Sequence, residues 1–197
     1  MTISPRACFA AGALFLAGSL GAGLVQCGED AAADAWRTQL SSPAVRQASA
    51  KAAPLAVPED ARCAVCGMYP ARFPHWAAQL VLKDGSRRWF ESPRELLVFL
   101  RDLDRYGKGV KTDDLVAAFV TDFGGAGWVR ATDAFFVRGS RQRGPMGVDA
   151  FPAFGKRTAA AALATAQGGE VVDWNALVTA FAGDPDDPGH SHHHAMP

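Results

Sequence analysis

The order of apolar and polar positions along this chain predicts short strands and short amphipathic helices. Ala77 to Lys83 reads as an apolar strand, Asp84-Gly85 as a tight hairpin turn, and Arg87 to Phe90 as the returning strand. Ser92-Pro93-Arg94-Glu95 follows, with serine at a cap position, proline at the first helical position and glutamate three residues after the serine: a capping box. Behind it Leu96, Leu97, Phe99, Leu100 and Leu103 recur at helical spacing, which predicts a helix to about Asp104 with one buried face.

The second half repeats this order loosely. Val116 to Asp122 reads as a strand, Gly124-Gly125 as a loop and Ala134 to Val137 as another strand, with a turn at Gly139-Ser140 and a return through Pro145-Met146-Gly147. A helix from about Lys156 to Gln167 is stopped by Gly168-Gly169, and a last short strand and helix fill Glu170 to Phe181. The expected fold class is therefore α+β, with two related ββαβ-type units: residues 62–110 and residues 111–182.

The flanks read differently. Residues 1–26 hold one charge, Arg6, followed by an uninterrupted uncharged run, the layout of a secretory signal. The run ends at Leu24-Val25-Gln26-Cys27, like a lipoprotein cleavage box, and lipidated Cys27 is favoured over an uncleaved membrane span because four glycines would weaken such a helix. Residues 27–61, Ala-rich and broken by Pro43, Pro54 and Pro58, read as a lipid-anchored tether, the alternative being a short helix over Ala33 to Leu40 packed on the domain. Residues 183–197 combine acids, prolines and histidines and read as a disordered tail.

Composition narrows the function. The formal net charge is zero, so nothing offers the electrostatic footprint of a nucleic-acid binder. Of four cysteines, Cys8 lies in the expected signal and Cys27 at the lipidation site, leaving Cys63 and Cys66 for chemistry. No Ser/His/Asp set, carboxylate pair or phosphate-cradling loop stands out, so an enzyme is not expected.

Cys63-Ala64-Val65-Cys66-Gly67-Met68 is the most informative stretch. A lone C-x-x-C fits metal, disulfide or redox chemistry. Gly67 and Pro70 follow at once, so no helix N-terminus is prepared to activate a thiol. A closed zinc site needs four ligands, and no second C-x-x-C exists. Met68 and Met146 both sit in glycine-flanked turns, away from the helices where methionine fills cores. Thiolate with thioether is the set that soft Cu(I) prefers. If the two halves face each other, Met146 closes a site begun by Cys63, Cys66 and Met68. His75 reads first as a packing or surface histidine and second as an auxiliary ligand. His190, His192, His193 and His194 form a secondary metal-collecting tract, or else a tag-like remnant. Arg87-Arg88 and Arg138, Arg141 and Arg143 read as solvated strand faces, with docking of an acidic partner as the alternative.

Several separated motifs together resemble the nitrous oxide reductase accessory lipoprotein family, NosL, over roughly residues 62–181. They are Cys63-x-x-Cys66-Gly67-Met68-Tyr69, Trp76-Ala77-Ala78-Gln79, Lys83-Asp84-Gly85, Phe90-x-Ser92-Pro93, Val120-Thr121-Asp122, Ala134-Phe135-Phe136-Val137 and Gly144-Pro145-Met146-Gly147. The resemblance implies two ββαβ units and a periplasmic, lipid-anchored Cu(I) chaperone. Its implied partners are nitrous oxide reductase, whose copper–sulfide cluster it helps to mature, and an ABC-type membrane complex dedicated to that assembly. Its sulfur ligands transfer to Cys66, Met68 and Met146, with Cys63 alongside. Two other readings stay open: a periplasmic thiol–disulfide protein, and a structural lipoprotein stapled by a local Cys63–Cys66 disulfide.

Overall fold

The structure, a computed structural model, describes residues 30–44, 52–125 and 127–182. The expected signal, the lipidation site at Cys27 and the histidine tract lie outside them.

The predicted first hairpin is present. β1 (Ala78–Leu82) pairs antiparallel with β2 (Arg87–Phe90), Ala78 opposite Phe90 and Val81 opposite Arg87. Gly85 takes the positive φ of 82° that the turn demands. Helix α2 (Pro93–Arg101) starts where the capping pattern places it, the Ser92 side chain accepting from the Glu95 N–H at 3.4 Å. It stops earlier than expected. Asp102 leaves the helical conformation and its carboxylate caps the separate turn α3 (Leu103–Tyr106) by accepting from Arg105 N–H. A short polar side chain that can bond nearby backbone competes with helix continuation at such a position.

β3 (Leu115–Thr121) then pairs antiparallel with β1, and the short β4 (Trp128–Arg130) extends the sheet beyond β3, giving the order β2-β1-β3-β4. β3 therefore completes the first unit, and a boundary between residues 110 and 111 would cut it from its sheet. The second unit is built from β5 (Phe135–Arg138), β6 (Ala153–Phe154), helix α4 (Arg157–Gln167) and β7 (Glu170–Asp173). Its sheet runs β6-β5-β7, all antiparallel. Each unit is thus a hairpin, a helix and a third strand that returns on the other side of the first. The return of the β5 hairpin is not Pro145–Gly147, as expected, but Ala153–Phe154. Gly144 to Val148 forms a closed turn instead, with Gly144 N–H donating to the Val148 carbonyl at 2.9 Å.

One core joins the two units. Phe90, Leu96, Phe99 and Leu100 from the first meet Phe136, Trp174 and Leu177 from the second and its following helix α5 (Trp174–Ala182). Trp36 and Leu40 of helix α1 (Asp30–Ser41) enter the same core at 3% and 4% exposure, Trp36 standing edge-on to Trp174. The tether expected over residues 27–61 is corrected there: an Ala-rich helix needs only a few large apolar residues on one face to be held by packing.

Residues 52–57 are likewise fastened. The buried Gln79 amide donates to the Leu55 carbonyl at 2.9 Å and accepts from the Leu55 N–H at 3.1 Å, as a neighbouring strand would. Arg87 bonds both the Gln79 side chain and the Ala53 carbonyl, at 2.8 and 2.9 Å. This strap delivers the chain to Cys63.

Candidate metal centre

Cys63 to Met68 is a closed turn. Cys63 N–H donates to the Met68 carbonyl at 2.8 Å, and Gly67 N–H donates to the Cys63 carbonyl at 3.0 Å. Gly67 has φ of 75°, a left-handed conformation that glycine adopts at no steric cost. The Arg62 guanidinium donates to the Gly67 carbonyl at 3.1 Å and lies 3.7 Å over the Tyr69 ring. Ala64 N–H donates to the Trp89 carbonyl at 2.9 Å, and Cys63 forms a parallel bridge with Trp89. The turn is therefore sewn to β2, the edge strand of the first sheet, which has backbone groups free to receive it.

That attachment brings Cys63 and Cys66 beside Glu91, the residue between the end of β2 and the Ser92 cap. One ligand atom from each of the three lies within 4.8 Å of the others. Cys66 Sγ donates to Glu91 Oε2 at 3.3 Å. Cys63 is 4% exposed and Glu91 1%, while Cys66 is half-buried, so the group opens outward through Cys66. Burial, the nearby Cys63 thiol and Glu95 push the Glu91 carboxyl up to about 9. The contact with Cys66, then burial, pushes the Cys63 thiol well above the ordinary thiol range. Cys63 and Glu91, adjacent acids in a poorly solvated place, favour their neutral forms. Such a group ionises when a cation enters, since thiol ligands bind deprotonated and metal binding releases their protons.

The other expected ligands are distributed. Met68 is half-buried on the same turn. Met146 is 50% exposed on the Gly144–Val148 turn of the second unit. His75 is exposed, its ring 6.4 Å from that of Phe123, and it is not a member of the gathered group. The arginines of the hairpins have structural duties: Arg87 holds the strap, Arg138 pairs with Glu170 at 3.0 Å, and Arg141 donates to the Ala166 carbonyl. Glu91 was missed by sequence reasoning. The available signal was an acid wedged between the apolar Trp89-Phe90 and a helix cap, a place where a carboxylate ordinarily serves the helix dipole.

A C-x-x-C turn with a buried carboxylate, mounted on the edge of one of two ββαβ units, defines a small α+β domain with a soft-metal ligand set. The NosL family model matches residues 54–181, and the chain belongs to the NosL family. It is 31% identical over 118 residues to the copper-binding lipoprotein NosL of Achromobacter cycloclastes, covering 54% of this chain and 58% of that protein's length. It is also similar to the crystal structure of the copper chaperone NosL from Shewanella denitrificans, with a TM-score of 0.54 and 26% identity over 62% of this chain and 93% of that one. Neither relative carries an enzyme's name. Among the described residues no helix is long and apolar enough to cross a membrane.

Proposed function

We propose that this protein is a Cu(I) chaperone that carries copper for assembly of the copper–sulfide cluster of nitrous oxide reductase, working with an ABC-type membrane complex. It acts on the periplasmic side of a membrane, anchored through lipidated Cys27. The observation that carries the reading is the meeting of two cysteine sulfurs and a buried carboxylate on an outward-opening turn. Relatives named for copper binding and copper delivery support it.

Cys63 and Cys66 are the thiolate ligands, and Met68 and Met146 supply thioether sulfur. This set suits soft Cu(I) and is poor for harder ions. Glu91 accepts from the Cys66 thiol and so fixes the direction of that sulfur before the ion arrives. Cys63 is the buried anchor and Cys66 the accessible ligand. An acceptor's sulfur or imidazole can therefore enter the open side and take the ion by ligand exchange, without free copper at any step. The thiol–disulfide alternative fares worse: residues 64–66 form a turn and no helix starts at either cysteine, so no helix N-terminus is present to activate a thiol.

Anaerobic Cu(I) titration of the reduced full chain against a competing chelator tests this, with Cys66→Ser and Met146→Leu alongside. One tightly held ion, weakened by both changes, is the expected result. Binding that is absent, or that survives both changes and disappears only with the histidine tract, overturns it.

A further inference from the structure

Next to the copper turn lies an apolar groove that the ligand set does not use. Tyr69 leads into a short 3-10 turn, Pro70–Arg72, and the chain then folds back so that Trp76 and Ala77 N–H both donate to the Phe73 carbonyl. Arg72, Phe73, Pro74, His75, Trp76 and Phe123 enclose a groove of about 340 Å³. Its floor is a run of packed rings: Trp76 stands edge-on to Phe123 at 4.9 Å, and Phe123 edge-on to Phe154 of the second unit at 5.9 Å. Arg72, Pro74 and His75 are exposed at its rim.

The charge around it is one-sided. Among the described residues no carboxylate lines the groove. The nearest acid in sequence on the Phe123 side, Asp122, is buried and occupied, accepting from the Gly124 and Gly155 N–H groups. Arg62 and Arg72 both lie over the turn's own tyrosine, at 3.7 and 4.8 Å from the Tyr69 ring centroid. Neither takes part in an ion pair among the described residues. The guanidinium of Arg72 thus belongs both to the groove and, through Tyr69, to the turn bearing Cys66. Glu59 and Asp60 are exposed in the turn that precedes Arg62, which leaves Arg72 as the cleaner source of positive charge. Aromatic side chains and arginine beside a preformed apolar recess are the features that concentrate binding energy in protein interfaces.

We propose that this groove seats the copper-receiving protein, through a segment with an apolar anchor flanked by a carboxylate. The anchor fills the Trp76–Phe123 recess and the carboxylate meets Arg72. Docking there holds the acceptor's ligands beside the open side of Cys66 while the ion changes hands. The inference rests on the copper-delivery reading, but it is tested by a separate measurement.

The full chain, labelled for observation of the Trp76 indole N–H by nuclear magnetic resonance, is titrated with a synthetic peptide in which leucine-phenylalanine stands between aspartates. Asparagine and lysine versions of the peptide serve as references. The aspartate peptide is expected to shift the Trp76 signal and bind about tenfold tighter than either reference. Arg72 is exposed, so Arg72→Glu leaves the fold intact and should reverse the order in favour of the lysine peptide. Trp76→Ala should weaken all three. Equal binding of the three peptides, or an unchanged order in Arg72→Glu, overturns the proposal. So does a Trp76 response to phosphatidylglycerol vesicles and to no peptide, which would make the groove a lipid contact. Chelator competition on the same samples separates the two readings. Wild-type Cu(I) affinity in both variants is expected, and a wild-type chain that selects the aspartate peptide but takes no copper overturns the delivery role of the groove.

Discussion

The two ββαβ units share a strand order and a helix position, yet the side chains that could hold a metal ion gather on one of them. β2 ends at Phe90 and is followed by Glu91, while β6 ends at Phe154 and is followed by Gly155. β2 receives the Cys63 turn along its free edge; β6 is two residues long and receives instead the Phe123 N–H at its Ala153 carbonyl, a segment without cysteines. The link between the strands of the first hairpin is a tight turn, whereas that of the second wanders through Gly139 to Pro152 and exposes Met146 at its own small turn. The comparison teaches that the scaffold is neutral with respect to chemistry, and that edge attachments and loop lengths decide where ligands collect.

The comparison breaks most severely if the units are not energetically one body. Phe90→Ala and Phe136→Ala both hollow the shared core and should each cost about 3–5 kcal/mol. Urea denaturation followed by tryptophan fluorescence should show one transition in each variant; two transitions would mean the units fold apart. Next in size is the ligand asymmetry. Cys66→Ser should lower Cu(I) affinity roughly a hundredfold or more by chelator competition, and its effect should exceed that of any single change in the second unit.

Glu91 gives a third distinction, one of pH. In the metal-free protein its carboxyl is raised to about 9 from an ordinary value of 4.5, so between those limits the native state keeps a proton that the unfolded chain releases. Stability should therefore fall as pH rises across that window. Glu91→Gln should flatten the fall, and denaturant midpoints at stepped pH values would reveal it; a slope that persists in the variant would place its source elsewhere. The smallest effect belongs to Met146→Leu. With half its surface exposed the change should leave stability within about 0.5 kcal/mol, while Cu(I) affinity drops by roughly tenfold.

What could be read in advance follows from how local each signal was. The Asp84-Gly85 turn and the Ser92-Pro93 cap are written in adjacent residues, and β1, β2 and α2 stand where those residues place them. β6 escaped notice because two residues, Ala153-Phe154, carry no alternation and owe their pairing to β5. Helix α1 was obscured by its alanines, since only Trp36 and Leu40 mark its buried face. The cysteine pair was visible in its spacing, though that spacing alone left metal, disulfide and redox chemistry open. Glu91 was not, because its meeting with Cys66 depends on a bridge between Cys63 and Trp89 that no local pattern announces. Met68 and Met146 stood out in sequence as methionines in glycine-flanked turns; Met68 is half-buried and Met146 half exposed.

The strap at Leu55 has a mechanical consequence. Gln79 and Arg87 clamp the backbone of residues 53–55 crosswise to the direction in which the chain runs, and the Cys63 turn lies only a few residues beyond. A pull arriving along the polypeptide from its N-terminal side would meet first the buried Trp36 and Leu40 of α1 and then those bonds, before any of it reached the sulfur atoms. The clamp thus works as a strain relief, like the collar where a cable enters a plug, insulating the geometry of Cys63 and Cys66 from whatever tugs on the chain upstream.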